Sequence, residues 1–382
     1  MKDILLIGPV FSNSGYGVHS RQVFEALLQR EEINLYVAPS DWGNSSWRLD
    51  LDLIKEITEC CNKKVPSTYD EVYQVCLPNE WRKIGRLNIG VTAGFESNFV
   101  RKNWSDAALK MDKVIVPSEF TRLAFANTLE KTNGNIPKNI EVINEWYLDD
   151  LEDTGDNSEI KKLNGLKYDN NILIFGQMSS SDDSLDRKNT IKTLRACLEF
   201  CDGKEIGILF KTNIGNNSVK SFYKLREVLE EKFSREELDK IALLSKDMTD
   251  FEVACLYKSP KVSCIVSGTR GEGWGLPLIN AAAAGVPVIA TNYSSYKEYL
   301  EEDFLKVDYD LVQINEKYAF VDEKDFVWAE FDYDDMIQKL EVFFENEEVY
   351  RKLSFEKKKI IKQKFCKNNI IKHYNSFFEK LK

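Results

Sequence analysis

Short apolar runs bounded by turn residues alternate with longer stretches in which apolar residues recur three and four positions apart. The short runs are typical of buried parallel strands and the longer ones of amphipathic helices, so the pattern predicts an α/β protein. The predicted strands are 4–7, 33–38, 72–77, 88–93 and 113–117 in a first series, and 172–177, 206–211, 241–244, 262–266 and 286–291 in a second.

The spacing of apolar residues predicts helices between these strands, over 18–30, 190–200, 221–233 and 251–257. In the tail, 334–382, it predicts two or three amphipathic helices. The charged, turn-rich segment 149–170 has the composition of a linker. Because 382 residues exceed what one core usually supports, we expect two doubly wound, Rossmann-like domains, over 1–165 and 166–361.

The composition narrows the choice of partners. With 62 acidic and 52 basic residues the net charge is -10, which argues against nucleic acid as a partner. The N-terminal apolar run is shorter than a signal-peptide core, and the longest apolar stretch, 278–290, is too short to span a membrane, so we expect a cytoplasmic protein. Eight scattered cysteines and two histidines predict no metal site.

The stretch SGTRGEGWGLPLINAAAAGVPVIAT follows the predicted strand 262–266. Gly271, Gly273 and Gly275 predict a tight turn whose backbone amides can approach an anion closely. Pro277 suits the first turn of a helix, so we expect a helix to begin near Leu276 and to direct its amides and its positive dipole end at the turn. A diphosphate fits such a turn, although an ordinary tight turn is the alternative.

Glu272 lies inside the glycines, where a carboxylate beside a phosphate costs electrostatic energy, so we expect it to contact sugar hydroxyls instead. GEGWGLP followed by AAAAGVPVIAT resembles the donor site of the family 4 retaining glycosyltransferases (glycosyltransferases group 1), which have the GT-B fold. The resemblance implies that Glu272 is catalytic and that Gly273, Trp274, Gly275 and Leu276 line the donor site. Asn280 stands where the family has a second Glu that contacts ribose, and an uncharged amide changes that contact.

DRKNTIKTLRACLEF, residues 186–200, resembles the family segment that carries a diphosphate-binding lysine, and Lys188 takes that place. The family often has an arginine where this chain has Gln177, so Arg187 or Lys211 is expected to substitute. For each of these cations the alternative is a solvated surface charge.

In the first domain, SNSGYGVHS resembles the family's glycine-rich loop. The resemblance makes Gly15 and Gly17 donor-binding residues and Tyr16 and His19 candidates on the acceptor side. Glu96 is a further acceptor candidate. The alternative for His19 is a surface histidine, and the alternative for Glu96 is a solvated loop carboxylate.

The resemblance implies transfer of a hexose from a GDP- or UDP-sugar to a hydroxyl of a glycan or lipid-linked acceptor, with retained configuration and without cofactor or metal. It also implies that a helix over about 362–382 crosses back to the first domain. A non-catalytic GT-B partner and a nucleotide-sugar epimerase are the alternatives.

A cluster of basic and aromatic residues in the first domain has two possible roles. It forms a solvated surface, or it docks the protein on the inner side of a membrane, where it binds a lipid diphosphate acceptor. Its members are Arg82, Lys83, Arg86, Arg101 and Lys102 with Trp81, Phe99 and Trp104.

Overall fold

The structure, a computed structural model, describes residues 1–42, 51–133, 139–152, 163, 165–177, 183–213, 219–245, 247–302, 304–318, 320–321 and 324–381. The chain forms two compact units. Unit 1 comprises Met1–Trp146, Phe320–Glu323 and Phe365–Lys382, and unit 2 comprises Tyr147–Ala319 and Lys324–Lys364.

Unit 1 is built on a six-stranded parallel sheet with the order β2-β1-β3-β4-β5-β6. Its elements are β1 Lys2–Gly8, α1 Gly15–Leu28, β2 Ile33–Pro39, α2 Leu51–Cys61, β3 Glu71–Val75, β4 Leu87–Val91, α3 Lys102–Lys110, β5 Lys113–Val116, α4 Glu119–Asn133 and β6 Ile140–Val142. The central strand β3 is buried along its whole length, including its polar residues Glu71 and Gln74.

Unit 2 has a second six-stranded parallel sheet, β12-β11-β10-β7-β8-β9, and an antiparallel pair, β13-β14. Its elements are β7 Asn170–Phe175, α5 Thr190–Cys201, β8 Ile206–Lys211, α6 Val219–Lys232, α7 Arg235–Leu238, β9 Ile241–Leu244, α8 Asp250–Lys258, β10 Val262–Ser267, α9 Leu276–Ala284, β11 Val288–Thr291, α10 Lys297–Leu300, β12 Leu305–Val307, β13 Tyr309–Gln313, β14 Val327–Phe331, α11 Tyr333–Glu345 and α12 Glu347–Phe365.

The core of unit 2 lies where α5 and α11 cover β7, β8 and β10. Leu194, Cys197 and Cys201 of α5 are fully buried in it. A leucine side chain buried in this way contributes about 1.5–3 kcal/mol by leaving water, so this face holds α5 on the sheet. The two cysteines are free thiols in a core, and their one-turn spacing reflects packing.

The C-terminal helix α13, Lys367–Lys380, belongs to unit 1. The Nζ of Lys367 lies 2.9 Å from a carboxylate oxygen of Glu25 on α1. The guanidinium of Arg30 stacks 4.7 Å from the ring centroid of Phe378. None of the helices among the described residues has the length and apolar character that a membrane crossing requires.

All ten predicted strands are present, and three helices occupy the predicted helical tail. The pattern missed β6, β12, β13 and β14, which are three to five residues long. Half of the predicted linker falls on residues outside the described ranges, and the domain bounds at 165 and 361 stay a prediction.

Candidate functional site

The carboxyl ends of β7 and β10 form the switch point of the sheet in unit 2. These strands are neighbours, but the chain proceeds from β7 toward β8 and from β10 toward β11, on opposite sides. Ligands of doubly wound folds bind at such a point, outside the carboxyl ends of the strands. The segments that follow the two strands lead to Lys188 and to Glu272, respectively.

Lys188 and Glu272 are brought together, although 84 residues separate them. The Nζ of Lys188 donates a hydrogen bond to Oε1 of Glu272, and the two side chains are 20% and 14% exposed. Lys188 is therefore neither a solvated surface charge nor fully buried. The pair places one cation and one carboxylate, each still accessible, at the switch point.

The backbone before α5 fixes the position of Lys188. Asn189 has a φ of 51°, in the left-handed region that Asn tolerates better than most residues. The carboxylate of Asp186 accepts the amide of Lys188 at 3.2 Å and the amide of Thr190 at 2.7 Å. Asp186 thus accepts the first amide of α5 and fixes the backbone from which the Lys188 side chain extends, just before the helix.

The glycine-rich turn is held by the residues that follow β11. The amide of Glu272 donates to Ser294 Oγ at 3.0 Å, and Ser295 Oγ donates to the carbonyl of Glu272 at 2.7 Å. The Tyr299 hydroxyl donates to the carbonyls of Trp274 and Gly275, at 3.2 Å and 3.0 Å. The Glu272 carboxylate is therefore carried by a backbone with few remaining degrees of freedom.

The helix α9 begins at Leu276, as predicted. Gly275 precedes it with a φ of 88°, which only glycine adopts at little cost, and Pro277 lies in the first turn. Among the described residues no acceptor takes the amides of Gly275 and Leu276. The α9 N-terminus therefore presents two donors and the positive end of the helix dipole beside Glu272.

Lys211 lies at the carboxyl end of β8 and is 5% exposed, so a solvated surface charge is the wrong interpretation. Its Nζ donates to Thr212 O at 3.0 Å and to Asn213 Oδ1 at 2.8 Å. Arg187 is half-buried, and its carbonyl accepts the amide of Arg270 at 3.1 Å. The roles of Lys211 and Arg187 in donor binding stay predictions.

Asn280 is engaged inside unit 2. Its Oδ1 accepts the amide of Leu148 at 2.9 Å. The segment that follows Leu148 is held further by Lys258 Nζ, which donates to Asp150 O at 3.0 Å, and by Lys362 Nζ, which donates to Leu151 O at 2.8 Å. A ribose hydroxyl at Asn280 would therefore compete with structural hydrogen bonds.

The two glycines of the loop in unit 1 differ in their surroundings. A Cβ on Gly17 would lie 2.0 Å from the carbonyl oxygen of Ser12, whereas a Cβ on Gly15 would meet nothing within 4 Å. Ser14 caps α1 by accepting the amide of Gly17 at 3.1 Å. Close packing within the loop thus accounts for Gly17, and of these two glycines Gly15 is the one with open space beside it.

Tyr16 and Glu96 lie near each other at the carboxyl edge of the sheet in unit 1. The Tyr16 hydroxyl and Thr92 Oγ1 are 2.7 Å apart, and the Tyr16 ring stacks on Trp42 with 4.1 Å between centroids. Burial raises the pKa of Tyr16, and the carboxylate of Glu96 raises it further. Their acceptor-side role stays a prediction.

His19 is buried, 1% exposed, so the surface interpretation is wrong. Its Nδ1 lies 3.8 Å from Oε1 of Glu145, which is 4% exposed. Neither His19 nitrogen, nor Oε2 of Glu145, has a hydrogen-bond partner among the described residues. Burial lowers the pKa of His19 to about 4 and raises the pKa of Glu145 to about 8.

Two of the aromatic residues in the basic cluster are internal. Trp81 is 6% exposed and packs against Gly90, whose Cβ position is 2.6 Å from the ring. Trp104 is 1% exposed and packs against Phe320 at a tilt of 55°, with 5.4 Å between ring centroids. They hold the unit together and offer no ring to a membrane.

The sequence interpretation missed Arg270 and Glu330. Arg270 precedes the glycine-rich turn and donates to Glu330 Oε2 from Nε and Nη2, at 2.9 Å and 2.7 Å. Only its position directly before GEGWG could have drawn attention to it. Glu330 carries no motif of its own.

Residues 224–359 match the model of the family described as Glycosyl transferases group 1. No curated protein matches the sequence of this chain. Among solved structures, HepE of Anabaena in complex with UDP and glucose is similar over 100% of both chains, with a TM-score of 0.65 and 12% identity.

Sucrose-phosphate synthase from Thermosynechococcus elongatus is similar over 100% of this chain and 99% of its own, with a TM-score of 0.65 and 14% identity. A glycosyltransferase from Rickettsia africae is similar over 99% of this chain and 98% of its own, with a TM-score of 0.63 and 14% identity. At these identities the likeness shows the fold. The chain therefore has the predicted GT-B fold, and the match to the glycosyl transferases group 1 model covers residues 224–359, about a third of the chain.

Proposed function

We propose that this chain transfers a hexose from a nucleoside diphosphate sugar to a hydroxyl of a glycan or glycolipid acceptor, with retained anomeric configuration. The contact between the Lys188 ammonium and the Glu272 carboxylate at the switch point of unit 2 carries the proposal. The two groups there match the two halves of such a donor, because a diphosphate needs positive charge and a sugar needs hydrogen-bond acceptors.

Donor binding then exchanges one ion pair for two sets of contacts. The diphosphate oxygens accept hydrogen bonds from Lys188 and from the amides of Gly275 and Leu276, and the sugar hydroxyls donate hydrogen bonds to Glu272. Each ionic partner thereby keeps a counterpart, which a partly buried charge requires. Before a donor binds, the same pair holds both side chains in place.

In the reaction, the acceptor oxygen bonds to the anomeric carbon on the face from which the diphosphate leaves. The bond between that carbon and the phosphate oxygen breaks, and the acceptor proton passes to the departing phosphate oxygen. Lys188, the two amides and the α9 dipole stabilise the negative charge that develops there. We propose a metal-independent reaction because these groups already supply the positive charge and the hydrogen bonds that stabilise the oxyanion.

For the donor, UDP-glucose is the first choice, because HepE, which shares the fold, was solved in complex with UDP-glucose. A GDP-hexose is the second. We propose a cytoplasmic role in the synthesis of cell-surface polysaccharide or glycoconjugate, with peripheral membrane contact through a lipid-linked acceptor.

The hydrogen bond between Asn280 and the Leu148 amide favours a second candidate, a non-catalytic GT-B partner. Without a ribose contact at that position, donor binding would rest on the phosphate and sugar contacts alone. Nucleotide binding separates the two candidates, since only a transferase needs it.

The test is donor turnover by wild type, by Glu272→Ala and by Glu236→Ala, a control that removes an exposed carboxylate of the same unit. UDP-glucose and GDP-mannose are each incubated with and without hydroxyl acceptors, and proton NMR reports the anomer released. We expect one donor to react with retention, and a loss of roughly 100-fold or more in Glu272→Ala alone. An unimpaired rate in Glu272→Ala would refute the assignment.

A further inference from the structure

The carboxylate of Glu330, on β14, bonds to both segments that carry the proposed site. Its Oε2 accepts two hydrogen bonds from Arg270, at 2.9 Å and 2.7 Å. Its Oε1 accepts Lys192 Nζ at 2.7 Å and Asn189 Nδ2 at 3.1 Å. Burial alone would raise the pKa of Glu330, but Lys192 and Arg270 outweigh it and lower the pKa, so the group is a carboxylate at neutral pH.

Each partner of Glu330 adjoins one residue of the proposed site. Arg270 lies two residues before Glu272, and Asn189 directly follows Lys188. Arg270 also joins the two segments directly, because its Nη1 donates to Asp186 O at 3.1 Å and its amide donates to Arg187 O at 3.1 Å. Movement of Arg270 would therefore displace both segments.

The strand β14 is itself fixed to the end of β10. The amide of Ala329 donates to the carbonyl of Arg270 at 3.1 Å. A Cβ on Gly268 would lie 2.6 Å from the ring of Phe331, so the backbone there touches the ring directly. Arg270 is 7% exposed and stacks 4.8 Å from the ring centroid of Trp328, and its guanidinium forms an ion pair with the Glu330 carboxylate at 2.7 Å.

We propose that Glu330 is a positioning residue, which sets the separation of Lys188 and Glu272 by holding Arg270 on one segment and Asn189 and Lys192 on the other. This inference rests on the proposed function, in which that separation must match the distance from diphosphate to sugar. A misplacement of 1 Å costs roughly 100-fold in rate when groups must be aligned.

The experiment compares Glu330→Gln with Glu347→Gln. Glu347 is a matched control, since it also accepts a hydrogen bond from an arginine, Arg351, at 2.7 Å in the same unit. Glu330→Asp keeps the negative charge, so it gives a second test of the role of Glu330 if the Gln variant unfolds. Amide hydrogen exchange is followed in residues 186–192, 269–275 and, as an internal reference, in β7 and β8, together with kcat and KM for turnover of UDP-glucose and GDP-mannose.

For Glu330→Gln we expect exchange to rise about tenfold or more in 186–192 and 269–275 but not in β7 and β8, and kcat to fall by roughly 100-fold with a smaller change in KM. Glu330→Asp should recover part of both, and Glu347→Gln should match wild type.

Unchanged exchange, or an equal rise throughout β7 and β8, would overturn the inference, because the residue would then be dispensable or merely stabilising. If wild type turned over neither donor, the proposed function would fail and the positioning role with it. If wild type were active and Glu330→Gln kept its kcat, only the positioning role would fail.

Discussion

The buried pair of His19 and Glu145 predicts an unusual pH dependence of the stability of unit 1. Burial raises the pKa of Glu145 from 4.5 to about 8, so between these values the folded state holds a proton that the unfolded state has released. Stability therefore falls as the pH rises, by about 1.4 kcal/mol per pH unit and about 5 kcal/mol across the interval.

His19 acts in the opposite direction. Burial lowers its pKa from 6.5 to about 4, so in that interval the unfolded state holds the extra proton and stability rises with pH. The two effects cancel between pH 4.5 and 6.5, and the fall due to Glu145 stands alone from pH 6.5 to 8. Between pH 6.5 and 8 the free energy of unfolding of wild type should fall by about 2 kcal/mol.

The assay is urea unfolding at a series of pH values, with pulse-labelling hydrogen exchange in β1 and β3 to report unit 1. Glu145→Gln should abolish the fall above pH 6.5, and His19→Asn should extend it down to pH 4.5. Glu141→Gln is the control, because Glu141 forms ion pairs at the surface of the same unit. If wild type and Glu145→Gln kept a constant difference from pH 5 to 8, the pair would be an ion pair and the reasoning would be refuted.

Two pairs of variants test the local accounts. Asn280→Ala leaves the Leu148 amide without its acceptor and should lower the free energy of unfolding by about 1–3 kcal/mol, with Tm falling by roughly 2–4 °C per kcal/mol. Asn280→Asp keeps the acceptor and should lose less than half of that stability. Equal melting points of the two variants in calorimetry would contradict the structural role of Asn280. Gly17→Ala forces a Cβ to 2.0 Å from the Ser12 carbonyl and should cost about 3 kcal/mol or more, while Gly15→Ala, which enters open space, should stay within about 1 kcal/mol. Similar urea midpoints for these two glycine variants would show that the loop packs differently.

The sequence predicted the elements whose pattern is local. Strand β7 is buried on both faces, and its apolar run predicted it directly. The start of α1 was predicted three residues late because Gly15 and Gly17 are poor helix formers, and the hydrogen bond from the Gly17 amide to Ser14 Oγ decides it. Strand β13 has a largely exposed side, so no apolar run marks it.

Contacts between distant segments could not be predicted in the same way. Lys188 and Glu272 were each identified by resemblance, but their pairing depends on β7 and β10 being neighbours, which sequence order does not reveal. The network of Arg270 and Glu330 spans 60 residues and has no local signature. The burial of His19 was missed because one polar residue on a helix gives no sign of which face it occupies.

The central claim is that Lys188 holds a diphosphate while Glu272 holds the sugar, and calorimetric titration of UDP and GDP tests it most directly. The titration uses wild type, Lys188→Ala, Glu272→Gln and the control Lys297→Ala, which removes an exposed lysine of the same unit. One nucleotide should bind wild type, and Lys188→Ala should weaken it by roughly 10- to 150-fold, the cost of one hydrogen bond to a charged group. Glu272→Gln should bind that nucleotide at least as well as wild type, because UDP and GDP carry no sugar for Glu272 to hold. Binding that is unaffected by Lys188→Ala, or absent in wild type for both nucleotides, would contradict the account.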